Sequence, residues 1–96
     1  MSLSKKGNII KIRKKLDLLD NKFLDLIKKR SNLVHQVLLN KKFKKDIIDK
    51  KRIKIIMKNI YMKSKRKKID PLITKRIWKS MILAYIDYEY RNFKKK

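Results

Sequence analysis

The sequence predicts an all-α chain of three helices with a long first helix, and three observations carry that expectation. Ile12, Leu16, Leu19, Phe23, Leu26, Leu33 and Val37 form a seam that steps by four and three, with Arg30 in the place between Leu26 and Leu33. That alternation is the a/d rhythm of a helix packed against another helix. One Gly and one Pro leave little material for hairpins, and no stretch alternates with period two for long, as a half-buried strand would. Asp70 followed by Pro71 is a helix-start signal, a capping side chain and then a proline at the first helical position.

Taken in order, the first helix runs from about Ile9 to Leu39, roughly 30 residues or ~45 Å. That length suggests a coiled-coil partner. The polar stretch NKKFKKDI, 40–47, breaks the pattern and reads as a loop. Asp49 is a suitable cap or first-turn acid for a second helix over about 49–64. KSKRKKID, 63–70, is a basic connection, the third helix runs from Pro71 to about Asn92, and FKKK, 93–96, is expected to fray. There is no internal repeat, so the 96 residues are expected to form one domain with its core at about 9–92. A first helix of this length leaves the far half of its seam bare in a compact monomer. An interwound homodimer with antiparallel long helices covers it.

Composition narrows the chemistry. With no cysteine, disulfides and thiolate metal sites are excluded. His35 is the only histidine, which leaves no basis for a metal site. The start, MSLSKKGNIIKI, has no apolar run of signal-peptide or membrane-spanning length, so a cytoplasmic protein is expected. The formal charge of +23 fits binding to nucleic acid or an anionic membrane. Yet the basic residues are 25 Lys against 6 Arg, beside 15 Ile and one Ala. Lysine and isoleucine have A/T-rich codons, and an A/T-biased genome yields such a composition whatever the protein does. Lysine is then the default cation, and the arginines carry the information.

The informative charges lie on apolar faces. A guanidinium on the first-helix seam is costly to bury unless an anion meets it. Arg30 and Lys41 are 11 residues apart, close to three turns, so they point the same way with backbones about 16 Å apart. Their side chains can converge on a small anion. Arg13 lies 17 residues before Arg30, ~25 Å away and about 100° round the helix. It cannot join that site from the same chain, but in an antiparallel dimer it can join from the partner. Arg52 sits between Ile48 and Ile55, and on the third helix Trp78, Ile82, Tyr85 and Glu89 form one stripe. Glu89 is thus a carboxyl on a packed face, a position that favours its hydrogen-bond-donating form. Each residue also has a plain structural reading: Arg30 could pair with Asp25 or Asp87, Glu89 could reach solvent near the chain's end, and Trp78 and Tyr85 could be core. Together, three arginines, a lysine and a carboxyl on apolar faces suit a small dicarboxylate, which paired arginines grip bidentately.

The order of these residues resembles the all-helical chorismate mutase family. IRKKLDLLDNKFLDLIKKR, then Lys41, then DKKRI, then IDPLITKRIWKSMILAYIDYE carry the resemblance over roughly residues 9–92. It implies the type II fold, an intertwined dimer of three-helix chains, and a reaction that needs no cofactor and no metal. It also implies roles. Arg13 would reach the partner's site and bind one substrate carboxylate, Arg30 would bind the other, and Lys41 would contact a carboxylate and the ether oxygen. Asp49 and Arg52 match the second-helix pair that supports the site. Glu89 stands where the family uses Gln or Glu to hydrogen-bond the ether oxygen. Two positions depart from typical bacterial mutases: Ile53 replaces the Glu that holds the ring hydroxyl, and Tyr85 replaces a small Ser. Both look like the isochorismate pyruvate-lyase branch, as does the length of the 41–52 loop, although that branch has Gln rather than Glu at the last position.

The expected function is therefore chorismate mutase, the rearrangement of chorismate to prephenate in aromatic amino acid biosynthesis. The alternative on the same constellation is an isochorismate pyruvate-lyase that gives salicylate and pyruvate. A reading of another class, a basic helical dimer binding nucleic acid through exposed lysines, gives no reason for inward-facing arginines. The expected partners are thus chorismate or isochorismate and a second copy of the chain, with neither membrane nor nucleic acid.

Overall fold

The computed structural model describes residues 2–94, and among them there are three α-helices and no strand. Helix α1 spans Ser2–Leu39, α2 spans Lys50–Arg66 and α3 spans Pro71–Asn92, with a single 3-10 turn at Lys44–Asp46. The all-α expectation and the three-helix order hold. No helix among the described residues is long and apolar enough to cross a membrane. The chain divides into two units, one up to Leu33 and one from Val34 onward.

The first unit is helix alone. It begins at Ser2, seven residues before the Ile9 start that periodicity suggests. The difference has a simple cause: Gly7 costs a helix about 1 kcal/mol relative to Ala, but each added residue of a nucleated helix gains a hydrogen bond. From Asn8 to Lys29 every side chain is exposed. The seam shares that exposure, with Ile12 at 55%, Leu16 and Leu19 at 52%, Phe23 at 56% and Leu26 at 60%. Beyond that stretch, Arg30 and Ser31 are half-buried.

The second unit holds the packed interior. Leu38, at the end of α1, and Ile47, after the 3-10 turn, are the buried hydrophobic side chains of the described chain. Helix α2 starts where Asp49 caps it, its carboxylate accepting the Arg52 N–H at 3.0 Å. This helix turns Ile53, Ile56, Met57, Ile60 and Ser64 inward. The face bearing Ile48, Arg52 and Ile55, expected to be apolar and packed, is exposed instead. Helix α2 carries two apolar stripes, and the richer one packs against α3.

The α2–α3 turn is tightly specified. The Ile69 N–H donates to the Ser64 carbonyl at 2.9 Å and the Lys68 N–H to Lys65 at 3.1 Å. Those two bonds form a Schellman motif, and its left-handed position falls on Lys68, with φ of 58°. Asp70 then caps α3 by accepting the Leu72 N–H at 2.9 Å, with Pro71 in the first helical turn. Across the turn the buried hydroxyls of Ser64 and Thr74 lie 2.7 Å apart, and Ser64 also donates to the Ile60 carbonyl at 2.6 Å. Both hydroxyls are satisfied, so their burial carries no unpaired-group penalty. Helix α3 ends at Asn92; of the tail expected to fray, Lys95 and Lys96 lie outside the described residues.

Candidate active site

Helix α3 turns Trp78, Ile82, Tyr85 and Glu89 to one side, and all four are half-buried or buried, as their spacing of four, three and four residues requires. Glu89 is the most enclosed of them, at 5% exposure. A carboxyl so placed needs partners, and Lys41 supplies them. The Lys41 ammonium lies 3.1 Å from Glu89 Oε1 and 3.3 Å from Oε2. It also donates to the Ile47 carbonyl at 3.3 Å. A lysine has three N–H donors; the two oxygens of one carboxylate lie too close together to take one each, so Glu89 and the Ile47 carbonyl account for two of the three.

Lys41 reaches this position because α1 ends just before it. The Asn40 N–H bonds the Val37 carbonyl and the Lys41 N–H bonds the Leu38 carbonyl, both at 3.0 Å. Asn40 also donates from its side chain to Gln36 at 2.8 Å, satisfying another carbonyl of the last turn. Buried Leu38 fixes that end of the helix, and buried Ile47 folds the loop back over the lysine stem. Beside the pair, His35 Nδ1 lies 3.0 Å from the Tyr88 hydroxyl, with the rings edge to face. Lys41 also borders a cavity of about 310 Å³ with His35, Leu38, Leu39, Asn92, Phe93 and Lys94. That volume is at the low end for a small-molecule pocket.

The other candidate residues are placed as follows. Tyr85 is half-buried one turn before Glu89, and Ile53 is half-buried on the inward stripe of α2. Asp49 and Arg52 are exposed in the first turn of α2, where the Asp49 carboxylate serves as the helix cap. Arg13 is exposed and Arg30 half-buried on α1. Asp87 pairs within its own helix with Arg91 at 2.8 Å. Within the second unit, then, the structure joins Lys41 to Glu89, 48 residues apart. Sequence reasoning missed the Ile47 carbonyl on Lys41 and the His35–Tyr88 pair. The only hint of the first was Asp46, an acid three residues after Phe43, the spacing of a capping box.

Three helices, the first very long, with a lysine after that helix facing a buried carboxyl on the third, define an all-α class of protein. The chorismate mutase type II family model matches residues 12–90, and the chain belongs to that family. No curated protein and no solved structure matches the chain. Membership supports chorismate mutase activity on a small-molecule substrate.

Proposed function

We propose that this protein is a cytoplasmic chorismate mutase that converts chorismate to prephenate, for aromatic amino acid biosynthesis, as a homodimer of single-domain chains. The observation that carries this reading is the Lys41–Glu89 pair, a cation and a buried carboxyl 3.1 Å apart. The rearrangement is pericyclic. It requires no nucleophile, and its catalyst must hold the folded conformer of the substrate and stabilise charge growing on the ether oxygen. Arg30 and the partner's Arg13 grip the two carboxylates; Asp49 and Arg52 support the substrate from the second helix.

Lys41 and Glu89 act at the ether oxygen. At rest the Lys41 ammonium serves the Glu89 carboxylate and the Ile47 carbonyl, and the substrate competes with Glu89 for it. An ionised carboxylate only accepts hydrogen bonds, and a carboxylic acid also donates one; Lys41 supplies charge, and Glu89 its carboxyl, at the atom where negative charge develops.

Exposure supports the dimer. Seven large side chains of the α1 seam are each more than half exposed in the single chain. Full burial of such a side chain is worth about 1.5–3 kcal/mol, so covering them contributes on the order of 5–10 kcal/mol. In an antiparallel pair the twofold axis passes near Asn21 and Lys22, midway between positions 13 and 30. Each Arg30 then meets the other copy's Arg13.

Ile53 and Tyr85 favour a second reading. Ile53 offers no acceptor to the ring hydroxyl that a mutase holds, and Tyr85 fills space that a serine leaves open. Isochorismate elimination to salicylate and pyruvate breaks the corresponding C–O bond under the same electrostatic demand. Incubation with each substrate and identification of the products tests both readings. Prephenate from chorismate is the expected result; salicylate with pyruvate from isochorismate supports the lyase, and turnover of neither rejects both.

A further inference from the structure

We propose that Asp46 is a positioning residue for Lys41, acting through the backbone of the 40–49 loop; the inference rests on the reading of Lys41 as the ether-oxygen donor. The loop carries Lys41, Lys42, Lys44 and Lys45, and Asp46 is the only acid between Asn40 and Ile48. Four like charges in so short a segment oppose a compact turn. The turn nevertheless closes. The Phe43 N–H donates to Asp46 Oδ2 at 3.2 Å, the Asp46 N–H donates to the Phe43 carbonyl at 3.0 Å, and the Ile47 N–H donates to the Lys44 carbonyl at 3.2 Å.

Closure has a consequence for the lysine. It delivers the Ile47 side chain, 3% exposed, into the interior and leaves the Ile47 carbonyl 3.3 Å from the Lys41 ammonium. Among the described residues, that carbonyl is the lysine's acceptor outside Glu89. When the substrate displaces Glu89, the Ile47 carbonyl still holds one N–H and so limits where the other two point. Asp46 itself is exposed, and its carboxylate accepts from the Phe43 N–H. Its part is to hold the turn that holds the carbonyl.

Asp46→Ala removes the acceptor, and Asp46→Asn keeps one while removing the charge, so the two separate turn geometry from long-range electrostatics. The expected kcat of Asp46→Ala is roughly tenfold below wild type with KM within about twofold, because mis-aiming a positioned group slows the chemical step more than binding. Asp46→Asn recovers most of that loss. In a Lys41→Ala background, Asp46→Ala lowers kcat no further. A second readout needs no turnover: acylation of the intact protein, with peptide mapping by mass spectrometry, reports each lysine. Lys41 is expected to react more slowly than Lys42, Lys44 and Lys45, to react faster in Asp46→Ala and to stay slow in Asp46→Asn. Wild-type kcat in Asp46→Ala, failure of Asn to rescue, or an undiminished loss in the Lys41→Ala background would overturn the inference. If the wild-type chain turns over neither chorismate nor isochorismate, the proposed function falls, and unchanged Lys41 acylation in Asp46→Ala then overturns the positioning role separately.

Discussion

Glu89 is the only glutamate in the chain, and it occupies the most enclosed place on α3. Its partner is one of 25 lysines, and the two are joined by contacts of 3.1 and 3.3 Å. At this scale the roles can be separated by substitution. Lys41→Ala is expected to lower kcat/KM by at least ~100-fold, the size of effect when an electrostatic donor is removed from a preorganised site. Steady-state kinetics with chorismate at neutral pH checks this. Glu89→Gln keeps a donor for the ether oxygen and an acceptor for Lys41, so its kcat is expected to stay within about tenfold of wild type, whereas Glu89→Ala falls by ~100-fold or more. Equal losses in the Gln and Ala variants would show that the charge of Glu89, and not its hydrogen bond, is what catalysis uses.

At the scale of elements, legibility followed locality. Asp70 and Pro71 announced α3, and the structure starts that helix at Pro71 with Asp70 as its cap. Asp49 announced α2 in the same way. The stripe from Trp78 to Glu89 was readable because one periodic face met one packing surface. Helix α2 was harder: Ile48 and Ile55 flank Arg52, while Ile53, Ile56 and Ile60 make a second stripe, and only contact with α3 decides between them. The closure of the loop over Lys41 was not legible, since it depends on where the Ile47 side chain finds an interior. Nor did the sequence mark Lys68 as a left-handed residue, because a lysine there carries no signal that a glycine would. That position gives a stability test. Lys68→Gly relieves the strain of the left-handed backbone and is expected to stabilise the fold by about 1 kcal/mol, measured by urea denaturation at fixed protein concentration. A destabilised variant would show that the lysine side chain contributes more to the turn than its backbone conformation costs.

At the scale of the molecule, the governing fact is how little one chain buries. Leu38 and Ile47 are the buried hydrophobic residues of the described chain, while the seam of α1 is open along its length. A long helix with an uncovered apolar face is marginal in water, because tertiary packing supplies most helical stability. Leu19→Lys, beside the proposed twofold axis, places a cation in the seam of both copies. It is expected to abolish dimerisation and most of the helical signal together, read by sedimentation and circular dichroism. A wild-type chain that sediments as a fully helical monomer would contradict the dimer. The seam's rhythm was legible from sequence, as was the anomaly of Arg30 within it. What a partner would contribute rests on arithmetic on positions 13 and 30 and on the family resemblance.

The central claim is that each site is completed by an arginine from the other subunit, and mixing two inactive variants tests it most directly. Arg13→Ala and Arg30→Ala homodimers each lack one carboxylate grip at both sites and are expected to be nearly inert. After subunit exchange, a mixed dimer carries one site with both arginines intact and one with neither. With random pairing of equal amounts, activity is expected to return to about a quarter of the wild-type level. No recovery in a mixture shown to contain mixed dimers would place both arginines in one subunit's site and contradict the account.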